Sequence, residues 1–367
     1  LRRDQVGDAV TYVVNRNINY TNVCTYSCGF CAFAKGRSAR ALRGPGYDLD
    51  LAEIAARVRE AAERGATEVC LQGGIHPKYT GHTYLGIVRA VVEAVPDMHV
   101  HAFSPLEIRH GAETLGMSVR DYLRELAAAG LRTLPGTAAE ILCDDVRAHL
   151  CPDKLDSAEW LDVMRHAHEI GLRSTSTIMF GHLESPVHWA RHLLAIRNLQ
   201  RETGGFTEFV PLPFVHMEAP IWRRGLARNG QSFREAVLMH AVARLTFGRL
   251  IPNVQVSWVK MGRDGALAVY FADEDEWRLW IGDERVARFA GRAGTPEELT
   301  RSGAMHEAKE AFLKSAREAG DATLREQEAS AKRTGLPAPP PGQHLKLQTD
   351  AILDGLISKL EGTGAAR

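Results

Sequence analysis

Three cysteines, Cys24, Cys28 and Cys31, lie within eight positions in the spacing C-x3-C-x2-C. Three thiolates can bind three irons of a [4Fe–4S] cluster, which ordinarily takes four cysteines, and leave the fourth iron open. A structural zinc ion would need a further Cys or His to complete its tetrahedron. The nearest histidine in the chain is His76, far outside this segment. The spacing therefore indicates a cluster with one iron open to a small molecule, and a different metal is the alternative.

The segments around the cysteines predict the fold that positions them. Residues 11–22 read as a strand that runs directly into the cysteine segment. From about residue 50 to 260, at least six short β-like runs alternate with amphipathic helical patterns. This alternation implies parallel βαβ units. Without a Rossmann glycine fingerprint, it favours an α/β fold, a partial or full (β/α) barrel. Chemistry in such barrels lies on the loops after the strands, so we expect the cysteines at the barrel mouth.

The amino-acid composition argues against several classes of protein. The 367 residues include 45 Lys and Arg against 45 Asp and Glu, so the formal net charge is zero. This balance argues against nucleic acid or a membrane surface as a partner. No segment reaches the roughly 18 apolar residues of a membrane span. Six cysteines without a secretory signal are typical of the reducing cytoplasm, so we expect a cytoplasmic protein. Cys70, Cys143 and Cys151 are expected to be buried apolar side chains.

The sequence divides into three regions. Residues 1–265 carry the strand–helix alternation and are predicted to form the barrel. Residues 266–335 are acidic at first and then highly charged, and they predict an irregular, partly helical extension of uncertain fold. Residues 336–367 begin with a proline-rich linker and end in a short amphipathic segment predicted to be helical.

With an aromatic residue, Phe30, before the last cysteine, the motif resembles that of the radical SAM enzymes. The resemblance implies a [4Fe–4S] cluster held by Cys24, Cys28 and Cys31, with Phe30 in the cofactor site. It also implies S-adenosyl-L-methionine (SAM), bound to the open iron through its amine and carboxylate. In this family one electron cleaves the sulfonium of SAM and releases a 5′-deoxyadenosyl radical.

The same resemblance suggests where SAM is bound. Backbone groups of Gln72, Gly73 and Gly74, after the second strand, are expected to hold the methionine amine, because glycine lets a ligand approach the backbone closely. Ile75 stands where many family members have Glu. Glu140, after the fourth strand, is expected to contact the ribose or amino acid of SAM. The alternative for Glu140 is an exposed residue in the first turn of a helix.

Further polar side chains follow the predicted strands and are expected on the mouth loops: His76, Tyr79, His182, Glu184 and His216. Such groups could bind a phenol, a ribityl chain or a pyrimidine edge, or move protons. We predict that His182, Glu184 and His76 are catalytic. The alternative for His182 is a structural histidine with satisfied hydrogen bonds.

Residues 11–265 resemble, more narrowly, the branch that contains the tyrosine-using component of FO synthase, in phrases such as "NINYTNVCTYSCGFCAFAKG" and "FVPLPFVHM". This implies a transferase that cleaves L-tyrosine and moves its 4-hydroxybenzyl group to 5-amino-6-(D-ribitylamino)uracil in deazaflavin (FO) biosynthesis. It also implies an electron donor, flavodoxin or ferredoxin, and a second radical SAM component. Two alternatives stay open: a radical SAM enzyme of futalosine-dependent menaquinone biosynthesis, and a non-catalytic iron–sulfur or zinc protein.

Overall fold

The computed structural model describes residues 13–34, 46–257 and 260. Its strands are β1 (Asn15–Asn19), β2 (Glu68–Gln72), β3 (His99–Ala102), β4 (Thr133–Leu134), β5 (Arg173–Phe180), β6 (Phe206–Pro213) and β7 (Asn253–Val254). Its helices are α1 (Leu51–Glu63), α2 (Gly81–Ala94), α3 (Pro105–Leu115), α4 (Val119–Ala129), α5 (Asp144–Leu150), α6 (Ser157–Glu169), α7 (Pro186–Thr203), α8 (Pro220–Arg223) and α9 (Phe233–Phe247).

The seven strands form one sheet, in which every neighbouring pair is parallel and the spatial order follows the chain. Right-handed crossovers in one direction place the helices on one face of such a sheet and leave the other face as the inside of a barrel. Within the part of the chain that the structure describes, no ladder joins β7 to β1. The fold is therefore a partial (β/α) barrel, which confirms the predicted α/β class.

The core lies between the sheet and the helices in two main clusters. The first joins β1 to β4 with α1 to α4 through residues such as Val69, Leu71 and Val100, all fully buried. The second joins β5 and β6 with α6, α7 and α9 around Trp160 and Phe209. In β2 and β3 the core residues alternate with polar ones, because successive strand side chains point to opposite faces. This alternation leaves the inner face of the barrel more polar than the helix-covered face.

The strand–helix alternation predicts one helix between the third and fourth strands, but the structure has two, α3 and α4. Helix α3 begins at a capping box in which the Ser104 side chain and the Glu107 side chain bond to each other's backbone N–H, with Pro105 in the first turn. It ends at Gly116, which adopts the left-handed conformation that suits glycine (φ 64°). These signals are local, so the extra helix could have been read from the sequence.

The predicted extension, residues 266–335, and the predicted linker and helix, residues 336–367, lie outside the described residues, so both remain predictions. Among the helices that the structure describes, none is long and apolar enough to cross a membrane.

Candidate functional site

The cysteine segment follows β1 and is fixed by backbone hydrogen bonds to three other parts of the fold. Thr25 N donates to Ile75 O, after β2, at 2.9 Å. Gly29 N donates to Leu150 O, at the end of α5, at 2.8 Å, and Ile221 N of α8 donates to Gly29 O at 2.8 Å. These bonds hold the loop at the carboxyl ends of the strands, where the barrel fold predicts the active site.

The three cysteines form no disulfide among the described residues, and all three are partly exposed. Burial raises the pKa of Cys24 and Cys28, so their thiolates would need a cation for stabilisation. Within the described ranges, no three His, Cys, Asp or Glu side chains converge as a site for one metal ion. An iron–sulfur cluster does not need such convergence, because each cysteine binds a different iron. Three neighbouring cysteines, with no fourth ligand converging on them from the described residues, therefore fit a cluster with one open iron better than a tetrahedral zinc site.

Lys154 links the cysteine segment to the loop after β4. Its ammonium lies 2.8 Å from the Glu140 carboxylate and 5.1 Å from the centre of the Phe30 ring. The Lys154 and Glu140 side chains are only 11% and 12% exposed, so this ion pair is well shielded from water. The charge of Lys154 also lowers the pKa of Cys28, although burial dominates that thiol and raises its pKa overall. The structure thus brings together Glu140, Phe30 and Cys28 through a lysine that the sequence analysis did not single out.

Glu140 is not in the first turn of a helix, which rules out that alternative for it. It lies in the turn between β4 and α5, with a positive φ of 45°, and Ala138 in the same turn has φ 63°. Such conformations are uncommon for residues other than glycine and cluster at functional sites. The turn is fixed because Met179 N of β5 donates to Glu140 O at 2.6 Å.

The loop after β2 lies against the cysteine segment. A Cβ at Gly74 would overlap the Val23 carbonyl oxygen and come within 2.9 Å of the Cys24 Cβ. A Cβ at Gly73 would overlap the Tyr20 ring. Ile75 N donates to Cys24 Sγ at 3.4 Å. Only glycine fits at both positions, and the close packing explains why Gly73 and Gly74 follow β2.

A buried carboxylate, Glu107, supports this loop from behind. It is 2% exposed and accepts hydrogen bonds from Gly73 N at 3.1 Å and from Ser104 N at 2.7 Å. The hydroxyls of Ser104 and Tyr20 also donate to it. Burial raises its pKa, which these hydrogen bonds oppose. Its place in a capping box was readable from the sequence, but its contact with Gly73 depends on the tertiary fold.

His182 and Glu184 lie together in the loop after β5, and both side chains are fully buried. The His182 ring accepts from Leu183 N at Nδ1, at 2.7 Å, and Nε2 lies 3.0 Å from Met179 O. Burial lowers the pKa of His182, which favours the neutral ring with a proton on Nε2. The Glu184 carboxylate accepts from His182 N at 2.8 Å and from Trp189 Nε1 at 3.1 Å.

These contacts use both ring nitrogens of His182 within the protein, as expected for a histidine that fixes a loop. The prediction that His182 and Glu184 are catalytic stays a prediction. His76 lies in a different loop, where its ring packs on Tyr79 with centroids 4.9 Å apart and Nε2 lies 3.9 Å from Asp48 Oδ2. His216 packs on Trp222 with ring centroids 4.8 Å apart. No described contact joins His76, His182 and His216 in one constellation.

Comparison with known proteins agrees with this geometry. The Radical SAM superfamily matches residues 18–196. The chain is 49% identical over 298 residues to the 5-amino-6-(D-ribitylamino)uracil–L-tyrosine 4-hydroxyphenyl transferase of Methanopyrus kandleri, covering 80% of each chain. It is 49% identical over 291 residues to the FO synthase of Streptomyces coelicolor, covering 79% of this chain and 33% of that protein. The chain thus spans about a third of the length of the FO synthases that it matches.

Among solved structures, methylornithine synthase has a similar fold, with a TM-score of 0.54 at 18% identity over 73% of this chain and 71% of that one. This supports the partial-barrel architecture alone. The 49% identity to the Methanopyrus transferase extends over 80% of both chains, and this establishes the family. The chain therefore belongs to the radical SAM superfamily, in the family that contains the Methanopyrus transferase and the corresponding third of the FO synthases.

Proposed function

We propose that this chain transfers the 4-hydroxybenzyl group of L-tyrosine to 5-amino-6-(D-ribitylamino)uracil in the formation of the deazaflavin FO. The observation that carries this proposal is the 49% identity to the Methanopyrus transferase over 80% of both chains. The geometry supports it, because the cysteine segment, the Gly73–Gly74 loop and the Glu140 turn meet at the carboxyl ends of the strands.

Radical SAM enzymes use a [4Fe–4S] cluster and SAM, so the expected cofactors are confirmed at the level of the family. We propose that Cys24, Cys28 and Cys31 hold the cluster, with Phe30 beside it. The two cofactors together supply one-electron chemistry that generates a carbon-centred radical. Phe30 is itself fixed by Lys154, which keeps the aromatic ring and the cysteine segment in one position.

The remaining predicted cofactor residues have separate tasks in this proposal. The backbone of Gln72, Gly73 and Gly74 presents peptide groups to the methionine end of SAM, and the close packing of both glycines on Tyr20, Val23 and Cys24 holds this backbone in place. Glu140 offers a carboxylate for a hydroxyl or ammonium group of SAM, held by its ion pair with Lys154.

The predicted catalytic residues fall into two groups that differ in their surroundings. His76 is the candidate for substrate contact, because its ring is at the mouth and, among the described residues, its Nδ1 accepts a single hydrogen bond, from the Lys78 N–H at 3.1 Å. His182 and Glu184 position the loop after β5 through their mutual contacts and the Met179 carbonyl. By excluding water behind the cofactor site, this buried loop helps to protect reactive species from side reactions.

The proposal includes two protein partners. A flavodoxin or ferredoxin in the cytoplasm supplies the electron. A second radical SAM component completes the deazaflavin ring, which fits the finding that this chain spans only about a third of the FO synthases.

An anaerobic assay tests the proposal. The full chain is reconstituted with iron and sulfide and incubated with dithionite, SAM, L-tyrosine and the ribitylaminouracil, and the products are read by mass spectrometry. We expect 5′-deoxyadenosine together with a hydroxybenzyl–uracil adduct. Cys28→Ala removes one proposed cluster ligand and should abolish both products. The matched control, Cys143→Ala, changes a buried cysteine outside the cysteine segment and should retain both products.

Deoxyadenosine without adduct would disprove the proposed substrates and direct attention to futalosine derivatives. A colourless protein that forms no deoxyadenosine would disprove the enzymatic function altogether.

A further inference from the structure

The inner face of the partial barrel carries polar side chains on neighbouring strands. On β2 and β3, Val69, Leu71, Val100 and Ala102 are fully buried under the helices. The alternate positions therefore face the inside of the barrel, and they are occupied by Glu68, Cys70, Gln72, His99 and His101. These inner positions carry polar side chains, whereas the helix-covered positions of the same strands carry apolar ones. A polar inner face of this kind suits a ligand that forms many hydrogen bonds.

Strands β2 and β6, which are not neighbours in the sheet, both line this interior space. Burial raises the pKa of Cys70, on β2, to about 12, and the charge of Glu208, on β6, contributes. Burial likewise raises the pKa of Glu208 to about 7, with a contribution from Glu68 of β2. These influences agree with the barrel-like arrangement of the sequential parallel sheet, in which the inner faces of β2 and β6 border the same interior.

Glu208 is held in place but retains free hydrogen-bonding capacity. Its register on β6 is fixed by pairing with Thr175 of β5 and Asn253 of β7. Within residues 13–34, 46–257 and 260, the one group that donates to its carboxylate is Gln255 Nε2, at 3.3 Å. A carboxylate can accept about four hydrogen bonds, so most of its acceptor sites have no donor among the described residues.

The two ends of the lumen differ in character. At the carboxyl end of β5, Met179 packs with Phe214 and Ile221, next to Cys28 and Phe30. Glu208 lies near the amino end of β6, three positions into the strand. An aromatic group is thus favoured near the cysteine loop and a hydroxyl-rich group farther down the barrel.

We propose that the lumen around Glu208, bordered by Gln255 and Cys70, is the subsite for the polyhydroxylated ribityl chain of the acceptor substrate, with Glu208 accepting its hydroxyl hydrogens. This inference rests on the proposed function, which supplies the acceptor, and adds the place and direction in which the acceptor lies. The pyrimidine ring then points toward the cysteine loop, where the aryl group arrives.

Ligand truncation combined with mutation tests this subsite. Reconstituted holoenzyme with SAM is titrated by anaerobic calorimetry with the ribitylaminouracil and with 5,6-diaminouracil, which lacks the polyol. The variants are Glu208→Gln and Glu208→Asp, and the control is Glu202→Gln, an exposed carboxylate at the end of α7. Iron content and SAM cleavage report whether each variant keeps its fold and cofactors.

At pH 8, where a carboxyl with a pKa of about 7 is mostly ionised, we expect Glu208→Gln to weaken binding of the ribitylaminouracil by about tenfold to a hundredfold, the usual effect of losing a hydrogen bond to a charged group. Binding of 5,6-diaminouracil should be unchanged, as should both affinities of Glu202→Gln. Equal losses for both ligands, or no loss for either, would overturn the subsite while leaving the proposed function intact. If the wild type binds neither ligand and forms no adduct, the proposed function fails and the subsite fails with it.

Discussion

At the residue scale, the site depends on single side chains that connect loops far apart in the sequence. Lys154 is the clearest case, because its ammonium pairs with Glu140 and lies over Phe30, and its charge reaches Cys28. A positive charge near a cluster that gains an electron stabilises the reduced state. Lys154 is therefore expected to set both the position of the cysteine loop and the redox potential of the cluster.

We predict that Lys154→Met lowers the midpoint potential of the reconstituted cluster. One charge at close range is worth on the order of 1–3 kcal/mol at an effective dielectric constant of about 20. A one-electron couple shifts by about 59 mV for each 1.4 kcal/mol, so we expect a fall of about 40–130 mV in a titration followed by electron paramagnetic resonance. The matched control, Lys78→Met, removes an exposed lysine and should leave the potential unchanged.

A second residue-scale prediction concerns the loop after β2. Gly74→Ala places a Cβ against Val23 and Cys24, so the loop must move and SAM affinity should fall at least about tenfold. Gly86→Ala on α2 is the control, because its Cβ would lie in ordinary contact, 3.7 Å from Leu51 Cδ1. That variant should bind SAM normally and gain up to about 1 kcal/mol of unfolding free energy from helix propensity. Equal SAM affinity in both variants would contradict the proposed role of the loop.

Glu208 provides a prediction about pH. Its pKa is raised to about 7 in the folded protein by burial and by Glu68, from the ordinary 4.5. The folded state therefore binds more protons than the unfolded state between these values, so its contribution to stability is fully present below pH 4.5 and is lost as pH rises through 7. Glu208→Gln should flatten the fall in unfolding free energy over this range, measured by urea denaturation. Glu202→Gln should retain the slope of the wild type.

At the scale of secondary-structure elements, helix α3 connects its own N-terminus to the loop after β2. The same carboxylate, Glu107, caps α3 through Ser104 and holds the Gly73 N–H. The capping box was visible in the sequence "SPLE", because Ser, Pro and Glu at this spacing are local signals. The second task was not visible, since it depends on Gly73, which lies 34 positions earlier in the chain.

We predict that Glu107→Gln costs about 1–3 kcal/mol of unfolding free energy, because an amide replaces a buried acceptor of several hydrogen bonds and its NH2 group would face other donors. SAM binding should weaken as well, since Gly73 loses its anchor. Glu113→Gln, on the exposed side of α3, should change neither quantity. A Glu107→Gln variant with normal stability and SAM affinity would show that the carboxylate does not fix the loop.

At the scale of the whole molecule, the sequential parallel sheet brings the loops after β1, β2 and β4 to one edge. Strand–helix alternation predicted this arrangement, and the cysteine spacing predicted the cluster loop, because both are periodic or local patterns. Lys154, Glu107 and the inner-face position of Cys70 could not be predicted, since each depends on contacts across the fold. Cys70 was expected in the apolar core, but the strand register turns it to the polar lumen beside Gln72, whose Nε2 lies 3.2 Å from its Sγ.

One measurement tests the central claim most directly. The reconstituted full chain is supplied with SAM, reductant, the ribitylaminouracil and L-tyrosine labelled with ¹³C in its ring and β-carbon, and the uracil product is analysed by mass spectrometry. The proposed transfer predicts an adduct that carries every labelled carbon, and its absence from Cys28→Ala. An active enzyme that cleaves SAM but leaves the uracil unlabelled would contradict it.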